Sequence, residues 1–194
     1  MGRERAGTSE PCAGAMPADP LRQETQRLLR DYFQHRSQPS PPAAPCPAAA
    51  TLRRVTAEVL TRNRDFFSSC LPPDSLRRQE PGALLLSVAR QLEEEGGLNW
   101  GRLVSLVAFA GVLLQRAAAG DDDVVESRLT TVLCDYLTKD RRSWLEENGG
   151  WDGFNRFFNR HGPEQMQQNG PVGHALMAAA GFGLAGLAFL LVVR

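Results

Sequence analysis

From Leu103 to Leu114 the chain is apolar at every position except Ser105. A helix carrying that run is apolar on all sides, so every side of it needs a covering neighbour. The run is too short to cross a bilayer, which takes about 20 apolar residues. It therefore predicts the central helix of a helical bundle. Gly96-Gly97 ahead of it is a turn signal. Asn99 suits the N-cap, where its side-chain oxygen accepts from an orphan N–H of the first turn. Trp100, Gly101 and Arg102 then stand at the mouth of the buried helix. A charge one turn from such a run must reach solvent or a partner, and Gly101 leaves room for a second backbone.

The rest of the chain agrees with an all-α reading, because alternating β-branched runs bounded by turns are nearly absent. Lys+Arg and Asp+Glu both number 22, which leaves no net field to attract nucleic acid. Cys12, Cys46, Cys70 and Cys134 form no Cys-x-x-Cys pair and have no ligand spacing with His35, His161 or His174. No metal or cofactor is expected. Catalytic signatures are missing too: there is no Gly-x-Ser-x-Gly, phosphate loop or His–carboxylate pairing, so an enzyme is not expected. The first fifteen residues lack the apolar core of a signal peptide, which favours cytosolic exposure and reduced thiols.

Residues 1–18 read as a disordered extension, with Met16 a possible second start. Asp19-Pro20 opens a first helix as N-cap and first helical residue, with Leu21, Leu28, Leu29, Tyr32 and Phe33 on one face. Residues 37–50 carry five prolines and read as a linker inside the helical domain, which spans 19–160. A second helix follows from Thr51 to Cys70, striped by Leu52, Val55, Val59, Leu60, Phe66 and Phe67, and Pro72-Pro73 end it. The next helix places Leu84, Leu85, Val88, Ala89 and Leu92 on one face and closes on Glu93-Glu94-Glu95. That acidic end opposes the helix dipole and has no local explanation.

Asp121-Asp122-Asp123 favour a helix N-terminus. Val125, Leu129, Val132, Leu133, Tyr136 and Leu137 then recur at helical spacing and pack beside the buried helix as a hairpin. Asn148-Gly149-Gly150 closes a short helix from Arg141, and Trp151 to Asn159 forms another, rich in aromatics. Residues 161–171 are a polar linker. Residues 172–193 hold no formal charge and are long enough to span as a tail anchor. Ala179/Gly183 and Gly181/Ala185 have the spacing of close helix contact.

Two stretches carry a resemblance. Asn99-Trp100-Gly101-Arg102, followed by an apolar helix, is similar to the first homology motif of the Bcl-2 family of apoptosis regulators. The second, Trp144-Leu145-Glu146-Glu147-Asn148-Gly149-Gly150-Trp151-Asp152-Gly153-Phe154, resembles the family's second motif. Leu52-Arg53-Arg54-Val55-Thr56-Ala57-Glu58 occupies the place of the third, and the first helix that of the fourth. The resemblance implies a Bcl-2-like bundle around a buried central hairpin, with a C-terminal transmembrane helix. It implies a groove that takes the amphipathic death-motif helix of pro-apoptotic relatives. Candidate walls are Val55, Val59, Leu85, Val88, Leu92, Val104 and Phe109. Arg102 forks onto the partner's Asp, Asn99 donates to the same carboxylate, and Gly101 admits the partner backbone. Trp100, Trp144, Gly149, Gly150, Trp151 and Phe154 serve as structure.

The third motif departs from the family, which has a small residue and then Asp where this chain has Thr56 and Ala57. Without that carboxylate the helix cannot act as a killing ligand, which favours the anti-apoptotic branch. The alternatives are a pore-forming pro-apoptotic member and an endoplasmic-reticulum scaffold acting on calcium release. The expected location is the mitochondrial outer membrane or the endoplasmic reticulum, with the domain facing the cytosol. Homo- or heterodimers are further possible assemblies.

Overall fold

A computed structural model describes residues 19–69, 80–94, 96–117 and 122–160. Its helices are α1 (Pro20–Ser37), α2 (Pro47–Arg62), α3 (Arg64–Ser69), α4 (Pro81–Glu94), α5 (Trp100–Ala117) and α6 (Asp122–Asp135). A π-helical turn (Tyr136–Asp140) leads into α7 (Arg142–Glu147) and α8 (Gly150–Asn159). No strand occurs among the described residues. The expected tail anchor at 172–193 lies outside them, as do residues 1–18. Within them no helix is long and apolar enough to cross a membrane.

Each residue of α5 from Trp100 to Leu114 is buried. The cover comes from α1, α2, α4 and α6, which all pack against it. The all-round apolar run thus found the neighbours that its composition demands. The caps are local. Asp19 Oδ1 accepts from Arg22 N at 3.4 Å, and Asn99 Oδ1 accepts from Arg102 N at 2.9 Å. Asp19 also takes the Arg142 guanidinium from the start of α7, and those hydrogen bonds hold its carboxyl below the usual range.

Three boundaries differ from the sequence reading. The linker ends early, because α2 starts at Pro47 rather than Thr51. Proline fits the first turn, where its missing N–H would have no helical acceptor, and Ala48, Ala49 and Ala50 propagate the helix. The helix expected from Thr51 to Cys70 breaks at Asn63, whose side-chain amide donates to Val59 O at 2.8 Å. That carbonyl also accepts from Asn63 N, so it is doubly engaged where the helix ends. Finally, the regular helix expected through Leu137 widens into the π turn at Tyr136, where Arg141 N donates to Tyr136 O at 2.9 Å.

Candidate functional site

The site is built on the turn that feeds α5. Gly96 and Gly97 have φ of 136° and 77°, the left-handed region that side chains avoid. Both amides donate to Glu93 O, at 3.1 and 2.8 Å. The turn therefore closes α4 and aims the Gly97 carbonyl at Arg102, whose Nη1 donates to it. A Cβ on Gly96 would stand 3.2 Å from the same nitrogen.

Arg102 is consequently not the exposed charge at a lip that its sequence position predicts. It is 7 % exposed, because its stem lies on the buried helix while its guanidinium turns back onto the glycine turn. Asn99 spends its side-chain oxygen on the cap of α5. Gly101 is buried beside it.

The expected groove walls need the same correction. Val55, Val59, Leu85, Val88, Leu92, Val104 and Phe109 are none of them more than 1 % exposed. They belong to the buried apolar cluster rather than to an open trough. Bare apolar walls cost about 25 cal/mol per Å² of exposed surface, so they are covered.

One opening lies beside the motif. A cavity of about 350 Å³ is lined by Leu98, Asn99, Trp100, Gly101, Trp144, Asn148 and Phe157. Here the two sequence motifs meet. The Trp100 ring stands edge-on to Trp144 at 4.7 Å and to Phe154 at 5.4 Å, and Phe154 to Trp151 at 5.4 Å. Such edge-on pairs add to their burial through the ring quadrupole. Trp151 Nε1 donates to Thr25 Oγ1 on α1 at 2.8 Å, in the interior. The aromatic plug thus ties α8 to α1 and to the start of α5.

Gly149 and Gly150 turn the chain between α7 and α8 with φ of 79° and 59°. Gly153 has a different reason, one that the sequence reading missed. A Cβ there would meet the Asn148 carbonyl oxygen at 1.8 Å. Gly153→Ala should therefore cost about 2–3 kcal/mol, the upper range for forced overpacking. Thermal melts against wild type check this, and an unchanged melting temperature would show that the turn yields freely. Leu98 and Asn148 were likewise absent from the predicted site, while Phe157 belongs to the aromatic helix whose functional reading is the rim and floor of a groove. Phe157 and Asn148 had a signal, being in or beside the second motif, whereas Leu98 had none.

The helix in place of the third motif is fastened along its length. Arg53 grips Asp31 of α1 with two hydrogen bonds, 2.9 and 2.5 Å, in a pair only 10–13 % exposed. Arg54 Nη2 reaches Asn159 of α8 at 3.3 Å. Thr56 is buried and donates to Leu52 O at 2.6 Å, while Ala57 is exposed. The side presented at position 57 is thus a methyl group and carries no carboxylate to offer a relative.

A second charged knot lies across the bundle. Glu93 of α4 receives both Nε and Nη2 of Arg141 and, at 2.5 Å, the Tyr136 hydroxyl. The Arg141 hydrogen bonds hold the Glu93 carboxyl below its usual range. Burial, and then the hydrogen bond to Glu93, push the Tyr136 phenol up.

Comparison with known proteins places this arrangement. Residues 52–151 match the family model described as apoptosis regulator proteins, Bcl-2 family. The chain is 53 % identical over 176 residues to the anti-apoptotic protein NR13 of Gallus gallus, covering 90 % of this chain and 98 % of that one. It is 36 % identical to the human Bcl-2-like protein 10, covering 73 % and 78 %. Among solved structures it resembles the zebrafish pro-survival protein NRZ in its complex with Bad BH3. There the TM-score is 0.64 and the identity 35 %, covering 72 % of this chain and 95 % of that one.

Proposed function

Because the chain belongs to the Bcl-2 family of apoptosis regulators, we propose that it is an anti-apoptotic member. It binds the death-motif helix of pro-apoptotic relatives and so suppresses permeabilisation of the mitochondrial outer membrane. The observation that carries this is the Asn99-Trp100-Gly101-Arg102 corner. It places a guanidinium at the first turn of a buried helix, next to a cavity whose walls include Leu98, Trp100, Trp144 and Phe157. An amphipathic helix lays anchors at i, i+3/4 and i+7 into such walls, and Arg102 takes its carboxylate in a bidentate pair. The role is one of binding rather than catalysis. Similarity to NR13, and to a pro-survival protein solved with Bad BH3, supports the survival branch. So does Ala57, which leaves α2 without the acidic residue of a killing ligand. A peptide carrying Leu-x-x-x-Gly-Asp should bind the protein, and expression should protect cells from a death stimulus. Killing by expression alone would reverse the assignment.

Residues 172–193 serve, in this reading, as a single-span tail that holds the domain on the cytosolic side of the mitochondrial outer or endoplasmic-reticulum membrane. Their length and lack of formal charge support it. Deleting 172–194 should move the protein from the membrane fraction to the soluble one. A truncated protein that survived carbonate extraction would place the anchor elsewhere.

A further inference from the structure

The acidic end of α4 is unexplained by anything local, since a carboxylate there faces the negative end of the helix dipole. The structure supplies the reason for Glu93. Its carboxylate is 17 % exposed and takes a bidentate guanidinium from Arg141, 48 positions on. The Tyr136 hydroxyl adds a third donor. The π turn brings these two donors together, since its wide hydrogen bond sets Arg141 directly over Tyr136. Single π turns inside helices recur at functional sites.

The backbone of the same residue carries the other half of the connection. Glu93 O accepts both amides of the glycine turn, and the carbonyl of Gly97, four residues on, receives Arg102. Arg141 is thus linked to Arg102 through hydrogen bonds on the side chain and backbone of Glu93 and on the backbone of the turn. We infer that Glu93, clamped by Arg141 and Tyr136, is a positioning residue that sets where the Arg102 guanidinium stands for a partner's carboxylate. It touches no partner itself. This rests on the binding role proposed above and extends it to a residue outside both homology motifs.

The test uses the full-length protein in detergent micelles and two peptides, one carrying Leu-x-x-x-Gly-Asp and one with that Asp replaced by Ala. Wild type should prefer the Asp peptide. Glu93→Gln should weaken the Asp peptide about tenfold and shift the Ala peptide by no more than about twofold. Arg141→Gln should do the same, and the double variant should lose nothing further, as members of one unit behave. In the unliganded protein the Gly96 and Gly97 amides should exchange faster in Glu93→Gln. A variant that weakens both peptides equally is a general packing defect and overturns the inference. So does one that discriminates as wild type does, or one whose glycine amides exchange at the wild-type rate. Wild type indifferent to the Asp is a separate result, which overturns the recognition role of Arg102 and with it the reading beneath.

Discussion

Arg102→Ala should weaken a Leu-x-x-x-Gly-Asp peptide by about 30-fold to several thousand-fold, or roughly 2–5 kcal/mol. The loss is large because the partner's carboxylate would be left against apolar walls with no counter-charge. Most of it should appear in the dissociation rate. The same change is not silent for the fold. Arg102 is 7 % exposed and donates to Gly97 O, so alanine removes a buried side chain and the hydrogen bond it gives to the exposed glycine turn. Losing that hydrogen bond costs about 1 kcal/mol, and melting curves must accompany the titration. Arg102→Lys separates the two effects. It keeps the charge but cannot fork onto a carboxylate, so it should bind between wild type and alanine. Folded variants that bind the peptide as tightly as wild type would reduce Arg102 to a support for the glycine turn.

Trp151→Ala should cost about 3–5 kcal/mol of stability, the range for truncating a buried large aromatic. In a domain of this size that lowers the melting temperature by roughly 10–20 °C. Trp151 is 1 % exposed, stands edge-on to Phe154, and reaches Thr25 across 126 positions of sequence. Alanine opens a cavity at the junction of α8 with α1 and leaves the Thr25 hydroxyl without its donor. Trp151→Phe keeps most of the apolar area and loses chiefly the hydrogen bond, so it should cost about 1 kcal/mol. If alanine and phenylalanine melted together near wild type, the aromatic plug would not be what closes that end of the bundle.

Much of the fold was legible because its causes are local. The Asn99 and Asp19 caps, the glycine turns at 96–97 and 149–150, and the helical stripes all depend on residues within a turn or two. The burial of α5 was legible for another reason: a run apolar on every face has no solvent side under any packing. The family motifs marked the site's corner for the same reason, being contiguous. The errors over the groove walls share one source. Val55, Val59, Leu85, Val88, Leu92, Val104 and Phe109 were known to be apolar, but apolarity says that a side chain seeks cover, not what covers it. Read as open groove walls, they are covered in the folded chain.

The sequence by itself determined an all-helical chain wrapped around one buried helix, with a guanidinium and a glycine turn at its start. Only the tertiary structure decided how that guanidinium is held. Arg102 folds back onto Gly97, and Glu93 is bound by an arginine 48 positions away through a π turn that the apolar periodicity did not mark. Hydrogen bonds across such distances depend on where two helices lie in space, and no spacing along one of them records that.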